Sequence, residues 1–263
     1  MRVVALDADV IVFVSDVWQT TCTAVRAGDE GFVIDSPVYP EELRALPEVL
    51  GQAAFPVSGL LATHGHWDHL LGRLAFPDAA LGCPESTAER LASAPGTAQR
   101  RLRDFDAEHY VEGRRPLSLG TVQALPVPGK LELGPSRELE LHEATGHSGD
   151  GAAYWVPWLS VLVCGDYLSP VEIPMLTSDG SIDAYRATLL RLAELAGDAT
   201  WVIPGHGAPL DAEGAAEILE QDTVYLGQLA NDPDAAALPG SRTGAAQKRI
   251  HEANLVRDRK SVV

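Results

Sequence analysis

Histidine and aspartate are crowded into residues 60–72, whose sequence is LLATHGHWDHLLG. Three imidazoles and a carboxylate fall within six positions there, at His64, His66, Asp68 and His69. These groups are the usual ligands of protein-bound zinc, iron and manganese. In an extended segment His64 and His66 point the same way and can reach one ion. The chain must then turn so that Asp68 and His69 can face a neighbouring ion. The spacing predicts a metal site at the end of an apolar strand.

Three further residues of the same types stand in similar positions later in the chain. His147 lies in ATGHSGDG, Asp166 in VLVCGDYLS and His206 in IPGHG. Each follows a strand-like apolar segment and has glycine beside it, which allows close approach of the backbone. A lone histidine of this kind is more often structural than a ligand. Seven candidates at strand ends favour a metal centre, because a sheet holds such side chains rigidly.

Together these motifs resemble the metallo-β-lactamase superfamily. HxHxDH is followed in order by TGHS, by CGD after a strand and by a final PGHG. The resemblance runs through nearly the whole chain and includes the opening segment 14–43, which is similar to the first hairpins and helix of that family. It implies an α/β fold, a four-layer αβ/βα sandwich, with two metal ions at one edge and helices at the C-terminus.

The resemblance also implies a role for each candidate residue. One metal would take His64, His66 and His147, the other would take Asp68, His69 and His206, and Asp166 would bridge the pair. Asp68 and Asp166 are the expected catalytic residues, and Asp35 is expected to support the metal loop without binding metal. We expect two divalent metal ions. Zinc is the first expectation, and iron and manganese are alternatives because this donor set accepts all three metals.

The expected reaction is hydrolysis of a small-molecule ester, thioester or lactone, with a metal-bridging hydroxide as the nucleophile. The ligand set is similar to that of glyoxalase II-like thioesterases and lactonases, with two departures. Glyoxalase II usually has two glycines after its DH, where this chain has DHLLG, and lactonases typically have tyrosine at the position of Ser169. Antibiotic-degrading β-lactamases fit less well, because those with HxHxDH lack the bridging aspartate.

Two other functions stay open at this point. A sulfur dioxygenase, similar in its histidine motif, would oxidise a persulfide with one iron bound by two histidines and Asp166. A non-catalytic binding member of the family is the third alternative, although such proteins usually lose ligands that this chain keeps.

Several residues are weaker candidates for contact with the substrate. Trp67 and Tyr167 lie beside predicted ligands, and each is also a candidate for packing. Arg100 and Arg103 belong to a group of five arginines in an acidic chain, and they are candidates for gripping a substrate carboxylate or phosphate. A solvated helix face is the alternative for this group, and the same choice applies to five basic residues near the C-terminus. The arginine group comprises Arg100, Arg101, Arg103, Arg114 and Arg115, and the C-terminal group Lys248, Arg249, Arg257, Arg259 and Lys260.

Composition bounds the partners and the compartment. The formal net charge of −17 over 263 residues argues against nucleic acid and against anionic membrane surfaces, which both require a basic face. A small-molecule substrate, anionic or neutral, is therefore expected, while the oligomeric state is open. Three cysteines without CxxC spacing, and an opening segment unlike a signal peptide, indicate a cytoplasmic protein.

The pattern of elements predicts one domain over residues 1–263 in which strands and helices alternate. A hairpin turn is expected at 27–31, and a strand at the start of residues 60–72 delivers the histidine cluster to its end. DHLLGRLAF is expected to begin a helix. Residues 84–119 are a possible cover over the metals, and residues 211–263 form a C-terminal helical region. Further helices are predicted near 40–50, 182–196, 213–229 and 245–257.

Overall fold

Two β-sheets form the centre of the molecule in a computed structural model, which describes residues 1–133 and 137–261. In the first sheet the strands lie in chain order, antiparallel from β1 to β4 and parallel from β4 to β7. Its strands are β1 Arg2–Asp7, β2 Val10–Val14, β3 Thr21–Ala27, β4 Glu30–Asp35, β5 Gly59–Leu61, β6 Leu81–Pro84 and β7 Val122–Leu125.

The second sheet has the order β12-β11-β10-β9-β8, in which only β11 and β12 are parallel. Since parallel neighbours need a crossover, a long helix connects these two strands. The strands are β8 Gly129–Leu133, β9 Arg137–Glu143, β10 Ala152–Val156, β11 Val161–Val163 and β12 Trp201–Ile203.

Helices cover the outer faces of both sheets. The helices are α1 Pro40–Gln52, α2 Gly72–Ala75, α3 Glu85–Ser93, α4 Thr97–Glu108, α5 Ile182–Gly197, α6 Ala212–Asn231 and α7 Ala245–Ser261. Ser181 caps α5 and Asp211 caps α6, since their side chains accept from the backbone N–H of Ala184 and Gly214, as helix N-caps do. No described helix is long and apolar enough to cross a membrane.

Strand β2 shows how the layers are held together. Val10, Val12 and Val14 pack in the core between the two sheets, whereas Ile11 and Phe13 pack in the core beneath α1 and α4. This alternation follows from the two-residue period of a strand. A third core joins the second sheet to α5, α6 and α7. The result is the predicted four-layer αβ/βα sandwich with C-terminal helices.

The structure departs from the predicted elements around the histidine cluster. Residues 67–69 form a single 3-10 turn and α2 spans only Gly72–Ala75, so the helix expected from DHLLGRLAF is nearly absent. Asp68 and His69 are both buried in that turn. In a regular α-helix these two adjacent side chains would point about 100° apart around the helix axis. In the tighter 3-10 turn both point toward the cluster.

Candidate metal centre

All seven predicted ligands meet at one edge of the two sheets. His64 and His66 follow β5, His147 lies between β9 and β10, and Asp166 and His206 follow β11 and β12. Asp68 and His69 are carried by the 3-10 turn of residues 67–69. The carboxyl ends of neighbouring parallel strands meet at the same edge of a sheet, which is why residues so distant in sequence come together.

Three histidines form the first group: His64, His66 and His147. His66 Nδ1 lies 2.9 Å from His64 Nε2 and 3.1 Å from His147 Nε2. The rings stand at steep angles to one another, 76° between His64 and His66 and 81° between His66 and His147. Three nitrogens therefore converge on one point, as a metal ion requires.

The second group consists of Asp68, His69 and His206. Asp68 Oδ2 lies 3.7 Å from both His69 Nε2 and His206 Nε2. All three side chains are buried, and their potential ligand atoms lie within 4.8 Å of one another. This second group could hold a metal ion of its own.

Asp166 stands between the two groups and divides its oxygens between them. Oδ2 lies 3.1 Å from His147 Nε2 and 3.5 Å from His64 Nε2. Oδ1 lies 3.1 Å from His69 Nε2 and 3.4 Å from His206 Nε2. One carboxylate thus faces both groups, the arrangement that a bridging ligand needs.

The outer nitrogen of each of four histidine rings has a partner away from the cluster. Nδ1 of His147 lies 2.8 Å from the Met175 carbonyl, and Nδ1 of His206 lies 3.3 Å from the Trp18 carbonyl. Nδ1 of His64 meets Thr63 Oγ1 at 3.1 Å, and Nδ1 of His69 meets Asp35 Oδ2 at 3.0 Å. A carbonyl or carboxylate accepts a proton on Nδ1, which leaves the lone pair of Nε2 directed into the cluster.

Two buried atoms of the cluster lack a hydrogen bond. His69 Nε2 and Asp166 Oδ1 are both unsatisfied although they lie only 3.1 Å apart. When His69 is neutral and its Nδ1 donates to Asp35, Nε2 and Asp166 Oδ1 both present lone pairs to the space between them. A cation between these atoms satisfies both. The donor set of imidazole and carboxylate therefore fits divalent metal ions.

Burial and charge divide the imidazoles into two kinds. Burial lowers the pKa of His64 well below 6.5 and that of His66 to about 3. Burial also acts to lower the pKa of His206, but Glu172 and Asp166 outweigh it and raise that pKa to about 10. The pKa of His69 rises in the same way, since Asp166, Asp35 and Asp68 outweigh burial. The imidazoles of His64 and His66 are therefore deprotonated at neutral pH in the metal-free chain, whereas the second group holds protons that a metal must displace.

Asp35, at the end of β4, contacts the cluster through Thr63 and His69, and its predicted role in supporting the metal loop stays a prediction. Its Oδ1 accepts from the Thr63 backbone N–H at 2.8 Å, and its Oδ2 accepts from Thr63 Oγ1 at 2.9 Å and faces His69. The backbone of Asp35 is left-handed, with φ of 60°, a conformation that costs a non-glycine residue about 1 kcal/mol or more. Three contacts at the carboxylate hold the residue in this conformation.

Glycine at position 205 makes room for the central carboxylate. A Cβ added to Gly205 would collide with Asp166 Oδ1 and lie 2.9 Å from the carbonyl carbon of Gly165. The expectation that glycine beside a ligand allows close backbone approach is met at this position.

The weaker aromatic candidates lie at the cluster in different settings. Trp67 is half-buried and packs against Trp18 and Phe105, with ring centroids 5.8 Å and 5.0 Å away. Tyr167 is buried, and its hydroxyl accepts from the backbone N–H of His147 at 3.0 Å. This contact gives Tyr167 a supporting role at His147, and its contact with substrate stays a prediction, like that of Trp67.

The arginines of residues 100–115 have several roles. Arg100 and Arg103 are exposed on α4, and Arg100 bonds Thr97 at the start of its own helix. The side chain of Arg114 is instead buried, with Nε 2.9 Å from Asp106 and Nη1 donating to the Val38 carbonyl. A substrate contact by Arg100 or Arg103 stays a prediction. Lys248 and Arg249 are exposed on α7, and the side chains of Arg257, Arg259 and Lys260 lie outside the described part of the chain.

Sequence reasoning missed Arg90, a cation close to the first group. Its Nη1 lies 2.8 Å from Asp150 Oδ1 and 2.6 Å from Asp179 Oδ2. Asp150 Oδ2 in turn accepts from the backbone N–H of Gly65 at 2.8 Å. Arg90 and Asp150 thereby fix the backbone between His64 and His66. The sequence offered one signal, the position of Asp150 three residues after His147.

Comparison with known proteins agrees with this geometry. A sequence profile of the metallo-beta-lactamase superfamily matches residues 15–206, nearly three-quarters of the chain. A metallo-beta-lactamase from Pontibacter korlensis is similar in structure with a TM-score of 0.62 at 17% identity, over 83% of this chain and 98% of that one. A metallo-beta-lactamase family protein from Thermus thermophilus gives 0.64 at 20% identity, over 88% and 85%. With the strand-end histidines and aspartates in place, this chain belongs to the metallo-beta-lactamase superfamily.

Proposed function

We propose that the protein is a dinuclear metal-dependent hydrolase of a small-molecule ester, thioester or lactone. The observation that supports this most strongly is the position of Asp166, whose two oxygens face different groups of histidines at 3.1–3.5 Å. A carboxylate shared in this way is suited to holding two ions near each other, and hydrolysis at paired metals is a common use of such sites.

The residues of the chain would divide the work of the reaction. His64, His66 and His147 would hold one ion, Asp68, His69 and His206 the other, and Asp166 would hold both. Two divalent ions bound there would supply Lewis acidity and a water of lowered pKa. Asp68, the carboxylate of the second group, would also orient the attacking water by accepting a hydrogen bond from it.

Covalent catalysis by a cysteine is a poor alternative for this site. Cys164, two residues before Asp166, is fully buried in the core, and burial raises the pKa of its thiol. A thiol is nucleophilic as the thiolate and when accessible, and Cys164 is neither. Direct attack by water, with no covalent intermediate, is therefore the mechanism that we propose.

Charge favours small substrates. Two dications, two carboxylates and one hydroxide leave a site of about +1 within a chain of formal charge −17. Such a site attracts a single carboxylate or a developing oxyanion, whereas the acidic surface repels long polyanions. We therefore propose a neutral or singly anionic small molecule as the substrate.

The test is a panel of aryl esters, acyl thioesters and γ-lactones assayed with the zinc-loaded and manganese-loaded protein. We expect turnover of at least one class, and a fall of about 100-fold or more in kcat/KM for Asp166→Ala. Asp104→Ala, on the exposed part of α4, is the matched control and should keep full activity. Two bound metals with no turnover of any class would contradict the proposed substrate class.

A further inference from the structure

We propose that two residues of the C-terminal region, Arg242 and Asn254, are positioning residues for the metal centre. Asn254 would act on the group that contains His147, and Arg242 on the group that contains His206. Both lie beyond residue 206, where the superfamily match ends. The inference depends on the metal centre of the proposed function and is independent of the substrate.

The link between them and the metal centre is the loop of residues 169–176, which follows β11 and precedes α5. This loop touches a proposed metal ligand at each end. At one end Ser169 Oγ donates to the His206 carbonyl at 2.7 Å. At the other end the Met175 carbonyl faces His147 Nδ1 at 2.8 Å. The loop therefore contacts the ring of His147 and the backbone of His206, one residue from each group.

Asn254 holds the Met175 end of the loop. Its Oδ1 accepts from the Leu176 N–H at 3.1 Å, and its Nδ2 donates to the Pro174 carbonyl at 2.7 Å. The amide thus bonds the residues on both sides of Met175. Asn254 is fully buried, so water could not replace these bonds if its side chain were removed.

Arg242 holds the Ser169 end. Its Nη1 donates to the carbonyls of Ser169 and Glu172, at 3.1 Å and 2.7 Å. The guanidinium is buried and paired with Asp222 Oδ1 at 2.7 Å. A buried ion pair is expensive and is weak evidence for stability by itself. The Arg242 guanidinium donates to two backbone carbonyls three residues apart, and this contact with the loop gives the buried pair a geometric role.

A purely structural role predicts a different result from a positioning role. If Arg242 and Asn254 only stabilise the packing of the C-terminal region, their loss lowers the melting temperature and leaves zinc affinity unchanged or weakens both groups alike. If they position ligands, each variant weakens one group selectively. Metal affinity, measured without any substrate, separates these outcomes.

The experiment is a zinc competition titration with a chromophoric chelator on the full-length protein. His147→Ala and His206→Ala serve as references that identify the binding event of each group. Asn254→Ala should lower the affinity of the zinc site that His147→Ala abolishes by about tenfold or more. The affinity of the other zinc site should stay within about twofold of wild type.

Arg242 needs a paired variant, because removal of the guanidinium alone leaves Asp222 buried without its partner. The double variant Arg242→Leu/Asp222→Leu removes both charges. It should lower the affinity of the zinc site that His206→Ala abolishes. Glu252→Ala is the matched control. It lies on the same helix as Asn254 at an exposed position, so both zinc affinities should stay unchanged.

Equal weakening of both groups, or no change in either, would overturn the positioning role. A wild-type chain that binds no more than one zinc ion would overturn the paired metal centre on which the inference depends. Two tightly bound zinc ions without turnover of any ester, thioester or lactone would overturn the proposed substrate class alone.

Discussion

At the scale of single residues, the centre depends on which atoms of each side chain face inward. His66 presents Nδ1 to the cluster, whereas His64 and His147 present Nε2. Partners outside the cluster favour Nε2 at His64 and His147, and at His69 the partner is the carboxylate of Asp35. A charged partner both orients the ring and makes it a stronger base toward a metal.

Replacing Asp35 with asparagine tests this support. Asp35→Asn keeps the shape of the side chain and removes the charge, so we expect zinc affinity of the second group to fall about 10- to 100-fold. A chelator competition titration measures it. Asp7→Asn, at an exposed position, is the control, and equal affinities for Asp35→Asn and wild type would contradict the role of Asp35.

Residue types and spacing were enough to predict all seven members of the cluster. The HxHxDH spacing and the glycine-flanked residues 147, 166 and 206 carry that information locally. The supporting atoms could not be predicted in the same way. Met175 and Trp18 act through backbone carbonyls, which any residue type provides, so the sequence holds no local signal for them.

At the scale of elements, loops at strand ends must pass close to one another to bring the two groups together. The loop after β12 is pinned to the β2–β3 loop, because Thr21 N–H donates to the Gly205 carbonyl and Gly207 N–H donates to the Gln19 carbonyl, at 2.8 Å and 2.9 Å. Gly205 therefore cannot move away from Asp166 without breaking these bonds.

Gly205→Ala should disable the centre although every ligand is retained. The new methyl group would collide with Asp166 Oδ1 and displace the shared carboxylate, so we expect a loss of bound metal comparable to that in Asp166→Ala. Metal content per chain measures it. Gly227→Ala, in α6 with nothing within 4 Å of the added atom, is the control and should be neutral or stabilising by about 0.5–1 kcal/mol. Full metal content in Gly205→Ala would contradict the close approach.

Periodic apolar patterns and caps predicted the long elements well. Helices expected near 40–50, 182–196 and 213–229 span 40–52, 182–197 and 212–231. The helix prediction is wrong at residues 67–75, where a 3-10 turn and a four-residue helix replace the expected longer helix. The local composition there favours a helix, but contacts with distant parts of the chain hold Asp68 and His69 in the turn. Ser36 Oγ, for example, donates to the Asp68 carbonyl at 3.0 Å.

At the scale of the whole molecule, the titration of the cluster links its chemistry to folding. Burial lowers the pKa of His66 to about 3 and also lowers that of His64, which removes protons from the folded chain below pH 6.5. In the same range burial raises the pKa of Asp222 to about 7 and raises that of Glu172, which adds protons to the folded chain and opposes the histidines. The pKa of His206 is about 10 because Glu172 and Asp166 outweigh burial, and that of His69 is raised too, so above pH 6.5 the folded chain binds more.

These shifts predict that the metal-free protein loses stability as the pH rises from about 6.5 to 9.5, because stability falls with pH wherever the folded state binds more protons than the unfolded state. Melting temperatures of chelator-treated protein should fall over this range. The metal-free His206→Ala variant should lose less stability over the same range. Metal-free wild type that grows more stable from pH 6.5 to 9.5 would contradict these pKa directions.

The central claim is that Asp166 joins two metal groups into one centre for hydrolysis. The measurement that tests it most directly is metal content per chain by mass spectrometry, on protein expressed without added metal and purified without chelator. We expect about two equivalents of zinc, manganese or a mixture, about one in His206→Ala, and substantial loss of both in Asp166→Ala. One equivalent of iron alone would contradict the hydrolase and favour the persulfide dioxygenase, and full metal content in Asp166→Ala would contradict the bridge.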